Sequence, residues 1–225
     1  MGRHQQLGRR HPAPASGRLH RVRAAESATR PALRLGLPGR LPAQHLRSHR
    51  AGRTFYGGAV ITNAATGDPQ VKALVYVDAF APAQGQTIAQ LLAAYPGSCA
   101  VPANLNVVPF PGAPSGVGDA YIKQSVFPSC MADGLPAAEA HVLGATQLPI
   151  ATIALAQQTG VPAWKTIPSW AVVGTADHAI PLALQLAMAN AAHAHITRID
   201  APHLSMISNP GAVTNVILQA VRATS

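Results

Sequence analysis

Three short strand-like runs constrain this chain more than any other feature. They are residues 72–78 (Lys-Ala-Leu-Val-Tyr-Val-Asp), 170–174 (Trp-Ala-Val-Val-Gly) and 195–200 (His-Ile-Thr-Arg-Ile-Asp). The first two are nearly free of polar interruptions, the pattern of strands covered on both faces rather than on one. Helical stretches separate and flank them. Residues 56–66 open with Gly57-Gly58 and end at Gly67-Asp68-Pro69, a second helix starts at Pro181, and a last one starts at Asn209-Pro210. Asn at the cap and Pro in the first helical position favour that last start, and Val213, Val216, Ile217, Ala220 and Val221 give the helix one apolar face. Strands alternating with helices predict an α/β fold with a doubly wound, mostly parallel sheet.

Between the first two runs, residues 81–163 are rich in Pro, Gly and Ala, with helical stretches at 88–94 and 137–156. They read as a helical cap inserted into the sheet domain.

Charge divides the chain. The formal net charge is +9, yet residues 1–54 hold 12 of the 17 basic side chains, all Arg, and a single acid, Glu26. Residues 55–225 hold 5 bases against 7 acids, so the basic character belongs to the leader and not to the domain. No nucleic-acid partner is expected, because the leader also has no aromatic side chain for base stacking. Residues 1–54 lack Asp, Asn, Lys, Ile, Phe, Tyr and Trp, and no strand pattern is seen in them. Such a segment buries too little apolar surface to offset its ordering entropy, so it reads as a basic, disordered leader. No run of 18 apolar residues suggests a membrane span. The N-terminus has no apolar core of a secretory signal, Arg9-Arg10 is a weak twin-arginine echo, and an Arg-rich leader also fits an organelle transit peptide. The expectation is a cytoplasmic protein with Cys99 and Cys130 as buried free thiols, a disulfide between them being the alternative.

Chemistry concentrates at three places. Arg53-Thr54-Phe55-Tyr56-Gly57-Gly58 precedes the first helix, Gly174-Thr175-Ala176-Asp177-His178-Ala179-Ile180-Pro181 follows the second apolar run, and Pro202-His203-Leu204-Ser205-Met206 follows the third. Asp177 and His203 thus follow successive strands and emerge at the carboxyl edge of a parallel sheet, where ligands of such folds bind. A carboxylate and a histidine there can orient and exchange a proton for a nucleophile.

Over residues 55–225 these motifs, in this order, resemble the α/β-hydrolase fold, in particular small bacterial esterase-like members with a helical cap. The resemblance implies a Ser-Asp-His triad with Asp177 as acid and His203 as base, the nucleophile at position 55, and the Tyr56 backbone N–H as one oxyanion donor. Each has a plainer competitor: Asp177 as a helix cap, His203 as a surface-loop histidine, and Asp78 as the alternative acid position of the fold. His178 is read as a rim residue. His141, His193 and His195 have no ligand spacing with Cys or carboxylates, so neither metal nor cofactor is expected.

The departures from the family are as informative. Phe55 stands where the serine belongs, and its side chain has no group that attacks a carbonyl. Thr54 occupies the position before the nucleophile, and Ser205 and Ser208 lie outside any elbow. The family's His-Gly oxyanion motif and its early strands are not found in residues 1–54, so the N-terminal strands are expected to be missing. One coding change accounts for all of this. Read as GGC-CGG-ACA-TTC, Gly52-Arg53-Thr54-Phe55 shifted by one base gives Ala-Gly-His, and one restored base gives Ser before Tyr-Gly-Gly. His49-Arg50-Ala51 permit Ile-Val-Leu in the same frame, which would be a buried parallel strand running into the turn. The segment upstream of Tyr56 therefore reads as out of frame. The implied function is hydrolysis of small carboxylic esters, lost here with the serine. The alternatives are a pseudoenzyme that binds a small apolar ligand, or a cofactor-free lyase or haloperoxidase-like member. Phe110, Tyr121, Phe127 and Trp164 are candidates to line the ligand pocket, or equally to form the core of the cap.

Overall fold

The computed structural model describes residues 49–225; the leader assigned to 1–54 lies, up to residue 48, outside the described residues. The described residues begin with strand β1 (His49–Phe55), which runs directly into helix α1 (Tyr56–Ala64), then strand β2 (Val71–Ala79). After an insertion come β6 (Ser169–Gly174), α6 (Leu182–Ala191), β7 (His195–Ile199), the short α7 (Ser205–Ser208) and α8 (Pro210–Ala223). The strands form a parallel sheet in the order β1-β2-β6-β7.

The doubly wound reading follows from side-chain alternation. On β2 and β6, Leu74, Tyr76, Ala171 and Val173 face one core together with Ala59 and Ile61 of α1 and Leu184 and Met188 of α6. Ala73, Val75, Val77, Trp170 and Val172 point the other way and pack on Val213, Val216 and Ala220 of α8. Both faces being covered, these strands need no polar side. Ile217, read as part of the apolar face of α8, is 40% exposed instead; the buried stripe follows positions 213, 216 and 220.

The insertion between β2 and β6 holds α2 (Ile88–Ala94), β3 (Leu105–Val108), β4 (Asp119–Ile122), α3 (Phe127–Cys130), α4 (Ala137–Ala145), β5 (Ile150–Ala151) and α5 (Thr152–Leu155). The helix at 88–94 lies where the sequence places it, closed by a reciprocal Thr87–Gln90 capping box. The continuous helix expected at 137–156 does not form. It ends at Ala145, and the residues around Pro149 pass into β5, which completes a small antiparallel sheet β3-β4-β5. Proline cannot supply the helical N–H at that point and pushes its predecessor into extended backbone.

Two further expectations are corrected. β1 is a strand although its side chains show no strand pattern. Its backbone pairs with β2 along its length, and among its side chains Ala51 and Phe55 pack against the core; backbone pairing asks nothing of the Arg side chains. Cys99 and Cys130 are also not free thiols but a disulfide, with Cα atoms 5.7 Å apart, formed because α3 folds back on the segment after α2. Closing a loop of 31 residues restricts the unfolded chain by on the order of 3–4 kcal/mol. Replacing both cysteines by serine should therefore lower the melting temperature by several degrees, and a reducing agent should lower that of the unaltered chain similarly. Calorimetry with and without reductant checks both. Among the described residues no helix is long and apolar enough to cross a membrane.

Candidate active site

The carboxyl ends of β1, β2, β6 and β7 bring together Phe55, Asp78, Asp177 and His203. Phe55 is the hinge residue between β1 and α1. Its backbone lies at φ 49°, ψ −127°, a conformation that bulky L-residues avoid and that is tolerated only where surrounding structure enforces it. Two contacts enforce it. The N–H of Phe80 donates to the carbonyl of Phe55 at 3.1 Å, and Gly58 passes so close to β2 that a Cβ there would sit 2.3 Å from the carbonyl oxygen of Phe80. Glycine at position 58 is thus a packing requirement of the sharp strand-to-helix turn. Tyr56 begins α1, so its backbone N–H belongs to the first-turn donors that have no intrahelical acceptor.

Asp177 and His203 form a buried pair. His203 Nδ1 lies 2.8 Å from Asp177 Oδ2, and both side chains are almost wholly shielded, at 1% and 0% exposed. The other carboxylate oxygen accepts the N–H groups of Ala179 (2.7 Å) and Ile180 (2.9 Å), and Gln185 Nε2 donates to Oδ2 at 2.8 Å. Asp177 therefore closes the turn after β6 and also holds the histidine. It is not the cap of α6, which starts after Pro181 without a side-chain cap. Gln185 is a member of the site that the sequence motifs do not reach. Its one legible signal is a lone amide within the otherwise apolar Leu-Ala-Leu-Gln-Leu-Ala-Met.

The opposite ring nitrogen, His203 Nε2, is buried without a hydrogen-bond partner among the described residues. The Phe55 ring stands edge-on to the imidazole, with centroids 5.1 Å apart, and also meets Phe80 at 5.4 Å. A buried, unpaired ring nitrogen is a polar group whose desolvation is uncompensated. An oriented carboxylate–imidazole pair with a vacant Nε2 can take a proton from a hydroxyl placed beside it; Phe55 offers none. Thr54 Oγ1 is likewise buried without a partner.

Asp78 does not touch His203. It is fully buried at the end of β2, with φ 45°. Its Oδ1 accepts the N–H of Gly174 at 2.8 Å, and its Oδ2 accepts the hydroxyl of Ser205. Burial pushes its carboxyl up to about 6, and the nearby Asp177 adds to this; the Ser205 and Gly174 bonds and the proximity of His203 oppose it. The folded state thus holds this proton more tightly than the unfolded chain does. The stabilisation is fully present below about pH 4 and declines as pH rises through about 6. Each tenfold difference in proton affinity between the folded and unfolded chain is worth about 1.4 kcal/mol. Asp78→Asn should flatten the stability profile between pH 4 and 6, which denaturant titrations across that interval can measure.

The remaining candidates lie apart from this centre. His178 meets Asp133 at the surface, 3.7 Å away, His195 packs on the Trp170 ring, and His141 is exposed on α4. The four aromatics expected to line a pocket do not gather into one. Phe127 is interior to the cap cluster, Trp164 packs on the main core and donates to the carbonyl of Pro82, and Phe110 and Tyr121 are half-buried. A cavity of about 360 Å³ opens beside α1, lined by Tyr56, Ala59, Asn63, Ile88 and Thr159 among others.

Residues 56–216 match the sequence model of the alpha/beta hydrolase family. No curated protein matches the chain by sequence. Solved structures with a similar fold include a pyrethroid hydrolase from Sphingobium faniae JZ-2 (19% identity, TM-score 0.58, covering 77% of this chain and 70% of that one). A methylesterase from Arabidopsis (16%, TM-score 0.63, 81% and 72%) and a polyneuridine aldehyde esterase (14%, TM-score 0.61, 80% and 73%) are others. At these identities the likeness is one of fold. With that fold in place and the family match spanning most of its length, the chain belongs to the alpha/beta hydrolase family.

Proposed function

We propose that this protein is a serine-hydrolase scaffold for small carboxylic esters that keeps its acid–base pair and has lost its nucleophile. Asp177 orients His203 and stabilises the imidazolium, His203 Nε2 is the base, Phe55 fills the nucleophile position, and the Tyr56 N–H is one oxyanion donor. The observation that carries this reading is Phe55 itself, held at φ 49° on the strand-to-helix turn with its ring against the imidazole. That backbone conformation is costly for phenylalanine and suits a small nucleophile lifted above a sheet edge. As it stands the chain binds a small apolar or ester ligand rather than turning it over. No nucleic-acid partner belongs to this reading, and the proposed chemistry has no step that needs a metal or cofactor.

A panel of short-chain aryl and alkyl esters tests it, with the unaltered chain and Phe55→Ser compared side by side. Turnover that appears only with the serine supports the reading; silence of the folded variant across the panel would sink it. The origin of Phe55 has its own test. We infer a one-base loss, so genomic DNA across the codons for Arg47 to Gly58 should carry an extra base that restores Gly-His-Ser-Tyr-Gly-Gly. An unchanged read makes Phe55 a property of the gene and the protein a pseudoenzyme.

A further inference from the structure

We propose that Asp78 is the positioning residue of the Asp177–His203 pair, tying the acid turn and the histidine loop to the central strand. The proposal rests on reading that pair as the acid–base half of a hydrolase site, and it assigns to Asp78 a role distinct from that of an alternative triad acid.

Two hydrogen bonds converge on this carboxylate. The N–H of Gly174, the last residue of β6 and three positions before Asp177, donates to Oδ1 at 2.8 Å. The hydroxyl of Ser205, two positions after His203, donates to Oδ2. Gly174 leaves no room for a side chain, since a Cβ there would lie 2.6 Å from the carbonyl oxygen of Ala201 and 3.0 Å from Asp78 Oδ1. The histidine loop therefore lies directly on the end of β6, with the carboxylate beneath both. Backbone bonds close the same unit: Thr175 N–H donates to Ile199 O at 2.9 Å and Ala176 N–H to Ala201 O at 3.2 Å.

Asp78, Ser205 and His203 are all essentially inaccessible, so these bonds are shielded from bulk solvent. Asp78 also takes a left-handed backbone, φ 45°, which costs free energy for a non-glycine residue. A carboxyl group in a buried, backbone-strained place is a poor choice for stability alone, because an apolar residue would avoid the desolvation. What the carboxyl supplies is two acceptors at a fixed spacing, one for each loop that carries a member of the pair. Without it, Ser205 loses its link to β2, and the placement of His203 against Asp177 rests on their mutual bond and on the two backbone bonds between the loops.

The test has one readout independent of turnover. In the chain as it stands, the proton on His203 Nδ1 held by Asp177 should give a far-downfield proton resonance. Asp78→Ala should abolish or shift that resonance. Asp78→Asn, which keeps an acceptor for Gly174, should largely preserve it, and Ser205→Ala should perturb it partially. Ile167→Ala, buried ahead of the amino end of β6, serves as a destabilised control whose resonance stays in place.

In the Phe55→Ser background, Asp78→Ala should lower kcat by roughly 10–100-fold with KM unchanged, as a misplaced base would, and Asp78→Asn should recover most of it. A folded Asp78→Ala variant whose resonance and pH profile match the parent overturns the proposal. So does activity that survives Asp177→Asn but not Asp78→Asn, which would make Asp78 the acid. If Asp78→Ala fails to fold, Ser205→Ala decides, and an unchanged resonance there counts against the proposal. Should Phe55→Ser be silent on every ester while the resonance still follows Asp78, the positioning role stands and the hydrolase reading falls.

Discussion

Phe55→Ser should give this protein ester-hydrolase activity, with a kcat on a favourable short-chain ester on the order of 10³–10⁴ above the unaltered chain. The magnitude follows from two opposing quantities. Supplying a missing serine nucleophile to an assembled acid–base pair is worth about 10⁶ in kcat. Lacking one oxyanion donor costs about 10²–10³, and the family's His-Gly motif for that donor is not found in residues 1–54. The substitution also removes the ring that meets Phe80 and His203. Because Phe55 is only half-buried, the stability lost is smaller than the roughly 3–5 kcal/mol of a fully buried phenylalanine. A smaller side chain at φ 49° relieves part of the backbone strain. The variant should therefore fold, melt a few degrees lower and gain activity, checked by steady-state kinetics alongside circular dichroism.

In that background His203→Ala should remove the whole gain, returning the rate to that of the unaltered chain. Asp177→Asn should lower kcat by about 10⁴ by reversing the tautomer that the carboxylate imposes. Asparagine at 177 still offers an oxygen to the N–H groups of Ala179 and Ile180, so the turn survives while the chemistry does not. In the chain with Phe55 intact, both substitutions alter stability only. That contrast separates a proton-transfer role from a structural one, with kcat read against the melting temperature of each variant.

How much of this was legible depended on whether a signal was local. Apolar runs such as 72–78 and 170–174 owe their pattern to burial on both faces, so their type and near-exact limits could be read from side chains alone. The positions of Asp177 and His203 followed from the strands before them, and the structure brings the two within 2.8 Å. β1 was legible only through the shifted frame of residues 49–51, because a strand is held by its backbone, and Arg50, Gly52 and Arg53 as side chains carry no trace of the pairing with Ala73, Val75 and Tyr76. The disulfide and the Asp78–Ser205 bond join residues 31 and 127 positions apart, distances at which spacing says nothing about proximity. The small antiparallel sheet of the cap was missed for a different reason. β3 and β5 are short and at best half-buried, so neither carries an apolar alternation long enough to separate from loop.

The central claim, that Phe55 stands in the nucleophile position of an otherwise assembled site, is tested most directly by covalent capture. A fluorophosphonate should label Phe55→Ser stoichiometrically at position 55, as located by peptide mass spectrometry. It should leave the unaltered chain unmodified, and it should label the Phe55→Ser/His203→Ala double variant far more slowly. A folded Phe55→Ser chain that stays unlabelled, or one labelled equally fast without His203, contradicts the account.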